Sequence, residues 1–218
     1  MNLNILYLQS LLIIQKHTRG FLIRNNKINK KVIISSYFQT KTWRKKQDWY
    51  KNGKSNECEL YQRGVFEKIT NIPCNKNTSR INLYSYEMRE NPYPMRSVDG
   101  FEWTEDFDGF FLKNERQIYV NFKFVCDKGG AQTRTLRELY HFISVQLKHL
   151  LLSYNEETNT QSEKKYFLNI LDGDECFSNM NKFIYLLNKE IYKNISQYIF
   201  VGDMHQFQKY WSKINSTI

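Results

Sequence analysis

The sequence predicts a mixed α/β domain: a central sheet of about five strands flanked by helices, preceded by an amphipathic helix. Three observations predict it. Apolar residues recur at helical spacing in Glu57–Ile72 and Thr135–Ser153, Gln117–Asp127 alternates apolar and polar strictly, and two short apolar runs, Lys165–Leu171 and Ser196–Gly202, have the form of buried strands. The composition supports a real core, because 41% of the 218 residues are hydrophobic and 16% aromatic, against nine glycines and three prolines. Wholesale disorder is thereby excluded.

Taken in order, Leu3–Ile23 repeats apolar residues at helical spacing with no proline, so 1–26 is predicted as the amphipathic helix. Its apolar part, Leu3–Ile14, is too short for a membrane span and is interrupted by Asn4, Gln9 and Ser10. It also lacks the basic flank and small-residue cleavage site of a signal peptide. Residues 27–56 read as a basic arm, in which Lys27–Lys54 sets many Lys and Arg against the single acid Asp48. Tyr37, Phe38, Trp43, Trp49 and Tyr50 are interleaved with those charges. Such a segment can follow a phosphate backbone and stack on bases; a strand at Val32–Phe38 and a helix tucked against the domain explain it equally well.

The main domain is placed at 57–218. Glu57–Ile72 is a helix stopped by Asn71 and Pro73, and Arg80–Met88 alternates as a strand. Phe101–Leu112 and Gln117–Asp127 form a hairpin turning at Lys113–Arg116. Thr135–Ser153 is the clearest helix, with Leu136, Leu139, Ile143, Leu147 and Leu150 on one face. After the polar loop Tyr154–Lys164 come the strand Lys165–Leu171, a helix Met180–Tyr192 and the strand Ser196–Gly202. Strands separated by helices predict parallel crossovers after the hairpin.

Lys and Arg exceed Asp and Glu by 32 − 22, a net charge of +10. Such a charge attracts polyanions without naming one. Cys58, Cys74, Cys126 and Cys176 are scattered without Cys-x-x-Cys or neighbouring histidines. A zinc site and a disulfide framework are both disfavoured, and free thiols in a reducing, intracellular compartment are expected. His141 and His149, on the long helix, are expected as core or surface residues, and His205 receives no role.

Centring the hairpin between Asn114 and Glu115 sets Asp108 opposite Asn121 and Asp106 opposite Lys123. Alternation then gathers two acids, an amide and a lysine on one face. A carboxylate that holds Mg²⁺ beside a lysine that stabilises developing charge suits phosphodiester hydrolysis. An ordinary cross-strand ion pair also accounts for the pattern.

An aspartate ending one strand, a short hairpin and a lysine on the next strand resembles the PD-(D/E)XK nucleases, which include many type II restriction enzymes. The resemblance covers about residues 57–203. It implies a restriction-endonuclease-like fold and an Mg²⁺-dependent endonuclease hydrolysing phosphodiester bonds in duplex DNA, acting as a homodimer. By that resemblance Asp108 matches the metal-binding aspartate, Lys123 the catalytic lysine, and Glu67, or in its stead Glu59, the helical acid of some members. The chain departs from the pattern at Asn121, where an acid is expected, and at Phe107, where a proline is expected. Lys123, Arg134 and Glu138 resemble an arrangement in which that acid has moved to the following helix. Either Glu138 completes the metal site, as catalytic residue and ligand, or the domain binds DNA without cutting it.

The loop Asp127–Thr135 offers Lys128, Gly129, Gly130, Gln132, Thr133 and Arg134 for contacts to DNA: backbone N–H groups at a helix start favour phosphate, and Gln and Arg can read base edges. A tight turn with a helix cap at Thr135, boxed by Glu138, is the competing account. At the front, Ile14-Gln15, Arg19-Gly20 and Arg24 fill each defining position of what resembles an IQ motif. That resemblance implies calmodulin or an EF-hand light chain as partner, with Ile14 as apolar anchor and the arginines on an acidic rim. The alternative function is thus a calmodulin-binding protein with an inactive nuclease-like domain; the alternative for the helix is packing on its own domain.

Overall fold

A computed structural model describes residues 33–76, 79–89, 103–155 and 165–214. Its centre is the alternating stretch that follows the hairpin turn. Strand β5 (Arg116–Phe124) lies inside a four-stranded sheet of order β4-β5-β6-β7, with β4 at Gly109–Lys113, β6 at Lys165–Asp172 and β7 at Ile199–Gly202. β4 and β5 are antiparallel with Gly109 opposite Val120 and Lys113 opposite Arg116, the expected register. Asn114 and Glu115 at the tip have φ of 48° and 66°, the doubly left-handed turn that matches the twist of a hairpin. β6 runs parallel to β5, and β7 parallel to β6. A separate three-stranded antiparallel sheet, ordered β2-β1-β3, is built from β1 (Arg80–Asn82), β2 (Met88–Arg89) and β3 (Thr104–Asp106).

Five α-helices complete the described part: α1 (Lys41–Lys45), α2 (Ser55–Thr70), α3 (Gly130–Asn155), α4 (Asp174–Leu187) and α5 (Met204–Ile214). α3 and α4 both pack on the face carrying Tyr119, Phe167 and Leu171, through Leu139, Ile143, Leu147, Met180 and Phe183. Two crossovers of one hand, made as the chain steps in one direction along a sheet, deliver both helices to the same side. The opposite face, Ile118, Val120, Phe122, Leu168 and Ile170, is covered by Phe66 of α2 and by Met204, Phe207 and Trp211 of α5. The sheet is therefore the middle of three layers, and its strands are apolar on both faces.

Several elements differ from the sequence expectation. The strands divide between two sheets in place of one sheet of about five. The stretch expected as one strand over Phe101–Leu112 is broken at Phe107, whose fully buried ring packs on Tyr119, Phe142 and Phe167 at centroid distances of 5.1, 5.1 and 5.5 Å. Arg80–Met88 is a tight hairpin, because Asn82 Oδ1 accepts from Tyr84 N and Ser85 N at 2.8 and 2.9 Å and turns the chain. α3 begins at Gly130, so Thr135 is no cap: its hydroxyl donates to Ala131 O at 3.1 Å inside the helix. α4 starts at Asp174 and stops at Leu187, leaving Glu190–Tyr192 as a 3₁₀ turn. α5 was not expected, although Met204, Phe207 and Trp211 carry the helical period.

The segment expected as an arm belongs to the domain from Ile33 onward. The described residues from Ile33 onward belong to one compact unit. The IQ-like helix, with Ile14, Gln15, Arg19, Gly20 and Arg24, lies outside the described residues. No described helix is long and apolar enough to cross a membrane. All four cysteines are free and buried.

Two buried carboxylates at the C-terminal ends of the parallel strands join this segment to the sheet. Asp203 caps α5, accepting from Gln206 N at 2.7 Å while Gln206 Oε1 accepts from Asp203 N at 3.0 Å, a reciprocal capping box. Its second oxygen accepts from Ser36 N, Ser36 Oγ and Ser35 Oγ at 2.9, 2.8 and 3.1 Å. Asp172, fully buried, accepts from Gln62 Nε2 at 2.8 Å and Met204 N at 3.1 Å. Burial, aided by the charge of Asp203, pushes the Asp172 carboxyl up to about 7. Buried His149 sits with Nδ1 2.8 Å from Tyr86 O, and burial together with Lys165 pulls its imidazole down to about 4.

These two groups act on stability in opposite senses. The folded state holds the Asp172 proton more tightly than the unfolded chain does, so its contribution is complete below pH 4 and is lost as the pH climbs to 7. His149 resists protonation in the fold, so its contribution is lost as the pH falls from 6.5 to 4. Relative to the unaltered protein, Asp172→Asn should therefore lose up to about 4 kcal/mol of stability between neutral pH and acid. His149→Gln should gain up to about 3 kcal/mol over its window. Urea melts of the three proteins across pH check both signs, and equal slopes in all three would refute the assignment.

Candidate functional site

Asp108 follows the break at Phe107 and stands one residue outside β4. Its Oδ2 accepts from Phe122 N at 2.7 Å, so the side chain takes the place of the next backbone partner in the β4–β5 ladder. Its own carbonyl accepts from the Arg63 guanidinium of α2. Arg63 also donates to Cys74 O at 2.6 Å and to Glu59 Oε1 at 2.8 Å, and its guanidinium lies 5.6 Å from the Phe122 ring centroid. One cation thus fixes the backbone at Asp108, the loop after α2 and the acid one turn earlier on α2. Gly109 is required there, since a Cβ would lie 2.3 Å from Cys74 Sγ and 3.3 Å from Arg63 Nη1.

Lys123, half-buried near the end of β5, directly follows Phe122, and its charge acts on this acid. Burial raises the Asp108 carboxyl above its usual range, and Lys123 is the charge that most strongly draws it back, followed by the Phe122 N–H bond. Glu105 of β3 belongs to the same electrostatic cluster. It keeps much of its surface in solvent, yet desolvation by the surrounding protein raises its carboxyl and Lys123 again opposes the shift. The charges of Asp106, Glu138 and Asp108 push Glu105 further up, and that of Glu59 pushes up Asp108. The site is therefore a lysine set among acids whose negative charge it only partly offsets.

The break at Phe107 exchanges the two neighbouring acids. Asp106, expected opposite Lys123, pairs with Arg80 across the small sheet at 2.7 Å, and Glu105 is the acid of β3 on which the lysine's charge acts. Extending one alternating strand through Phe107 hid this, although the run Glu105-Asp106-Phe107-Asp108 already concentrated acids there. On α2, Glu59 is the acid whose charge reaches Asp108, whereas the Glu67 carboxylate accepts from Cys74 N at 2.9 Å. Asn121, where the resemblance expects an acid, is buried, and its amide donates to Asn169 Oδ1 at 3.2 Å. Asn169 is in turn paired with Gln146 of α3 at 2.8 Å, so this position serves the core.

Glu138 is exposed and paired with Arg134 at 2.8 Å, one turn apart on α3. Its link to the cluster is its charge on Glu105. In the preceding loop, Asp127 takes a φ of 74° and pairs with Lys41 at 3.0 Å, and its carboxylate accepts from Lys128 N. Thr133 N and Thr133 Oγ1 both donate to Gly129 O at 3.0 Å. At Gly130 an added Cβ would meet nothing within 4 Å, so no internal contact demands glycine. Lys128, Gly129, Gly130, Thr133 and Arg134 are exposed and Gln132 is partly so.

Asp108 and Glu105 are the carboxylates that could hold a hard cation. Oxygen donors suit Mg²⁺, which is commonly kept by one or two carboxylates together with water and substrate phosphate. A cation's charge would offset the desolvation that raises each of these carboxyls. Among the described residues no three His, Cys, Asp or Glu side chains converge into a closed cage. Comparison with protein families, with curated proteins and with solved structures found no match.

The packing at Gly109 is open to direct trial. Gly109→Ala should cost about 1–3 kcal/mol by overpacking against Cys74 and Arg63. In a double-mutant cycle, Cys74→Ala should recover part of that loss, because it removes the sulfur the new methyl meets. Denaturant midpoints of the four proteins measure the coupling, and strict additivity would refute the contact.

Proposed function

We propose that the protein is an Mg²⁺-dependent endonuclease that hydrolyses phosphodiester bonds in duplex DNA, with a restriction-endonuclease-like core. The observation that carries the proposal is the Asp108 carboxylate held at 2.7 Å on Phe122 N, the residue before Lys123, with the Lys123 charge acting on it and on Glu105 of the neighbouring strand β3. Asp108 and Glu105 would hold the ion, which would supply Lewis-acid activation of the phosphate and of the attacking water. Lys123 stabilises the charge that builds on the phosphate oxygens and steadies the water's approach. Arg63 does not touch the substrate; it orients Asp108 through its carbonyl and keeps Glu59 paired.

The face beside this cluster supports a polyanionic substrate. Lys128 is exposed just before α3, and the open space at Gly130 leaves room for a group from outside the protein to approach the α3 N-terminus closely. Glu105 supplies the acid that Asn121 does not, so the departure from the family pattern is compensated by a different strand. Two subunits, each cutting one strand, is the assembly this chemistry calls for.

Purified protein should nick supercoiled plasmid with Mg²⁺ and cease with EDTA. Lys123→Ala should lower the rate by about 100-fold or more, and Asp108→Asn and Glu105→Gln should do likewise. Burial raises the Asp108 carboxyl, so cleavage should fail on the acid side at a higher pH than an ordinary aspartate imposes. A Lys123→Ala protein that nicks at the unaltered rate would remove the proposal.

A further inference from the structure

We infer that residues 41–54 form a rigid, cationic platform that grips the phosphates of duplex DNA flanking the Asp108–Lys123 cluster; this rests on the DNA-cleaving reading above. The segment has six Lys or Arg residues against the single acid Asp48. Its aromatic and charged side chains separate by direction. Trp43 stacks on Phe124 with ring planes 6° apart, and Trp49 stacks on Tyr61 of α2 at a centroid distance of 4.3 Å. The cations are turned to solvent: Lys45, Lys46, Lys51 and Lys54 are exposed, and none has a carboxylate partner among the described residues.

The backbone under those lysines is held at both ends. Thr40 Oγ1 accepts from Trp43 N at 3.1 Å at the start, and the Glu57 carboxylate accepts from Asn52 N and Gly53 N at 2.9 and 3.0 Å at the finish. Charges on a fixed scaffold lose little freedom on binding, which distinguishes this element from a loose basic tail. Lysines act on phosphate as point charges, so the platform adds affinity without reading sequence.

Its location ties it to the candidate site. Phe124, the stacking partner of Trp43, directly follows Lys123. Lys54 stands immediately before α2, five residues before Glu59, roughly 7.5 Å along the helix axis. The Lys41–Asp127 pair at 3.0 Å brings α1 beside the 127–134 loop. Duplex DNA carries a phosphate charge about every 1.7 Å of its axis, so a duplex seated on the cluster presents its neighbouring phosphates to this surface.

The test is binding of the full chain to a fluorescent mixed-sequence duplex without Mg²⁺, followed by anisotropy over a salt series. The quadruple variant K45Q/K46Q/K51Q/K54Q should flatten the slope of log Kd against log salt by about 3 to 4 and weaken binding at least about 10-fold near ~0.1 M salt. The matching quadruple arginine variant should keep both. Thermal melts of the two variants verify that they fold. An unchanged slope in a folded glutamine variant overturns the inference, as does an unaltered protein that binds anionic vesicles but not the duplex. Failure of the nuclease reading looks different: no nicking with Mg²⁺, while the salt slope of the unaltered protein and its loss in the glutamine variant persist.

Discussion

The hydrogen bond from Phe122 N to the Asp108 carboxylate is the contact on which the candidate site depends. An antiparallel ladder normally continues through backbone carbonyls; here the ladder ends at Gly109, and an aspartate side chain accepts the next N–H. That substitution holds a half-buried carboxylate beside Lys123, the residue after Phe122. The arrangement needs Gly109 to admit Cys74 and Arg63, and it needs the Arg63 guanidinium to hold the chain as it leaves the sheet. A charged donor shared among two carbonyls and a carboxylate is among the stronger local restraints available to a fold.

Helix α2 extends this restraint to the lysine. Its Arg63 faces Asp108, while the adjacent Gln62 donates to Lys123 O at 3.2 Å, Ile170 O at 3.3 Å and Asp172 Oδ2 at 2.8 Å. One turn of helix therefore contacts both halves of the hairpin and the next strand. Asp172 in turn meets the N-terminus of α5, and Asp203 meets Ser35 and Ser36, so a line of buried polar groups runs along the C-terminal ends of the parallel strands. Buried carboxylates are tolerated there because backbone N–H groups and amides satisfy their oxygens. The opposing behaviour of Asp172 and His149 places the two sides of the sheet under different protonation control.

Much of the architecture was legible residue by residue. The hairpin register follows from the turn at Asn114-Glu115 and the alternation of Gln117–Asp127; α2 and α3 follow from their apolar period; the parallel strands follow from two apolar runs separated by a helix. The placement of Asp108 just before β4 and of Lys123 near the end of β5 was also legible, because strict alternation on either side of a short turn constrains the register. Glu105 was not. Its place depends on Phe107 leaving the strand to fill a gap between Tyr119, Phe142 and Phe167, a long-range packing event with no local signature.

The sequence by itself determined the class of the fold and the pairing of the hairpin, because these rest on periodicity and turn geometry within a few dozen residues. Only the tertiary structure decided that Asp106 pairs with Arg80, that Glu67 is tied to Cys74 N, that Asn121 belongs to a core amide network, and that the basic segment from Ile33 packs on the domain. Apart from the Glu67 contact, those outcomes depend on contacts between residues far apart in the chain, where burial and hydrogen-bond satisfaction outweigh local preference.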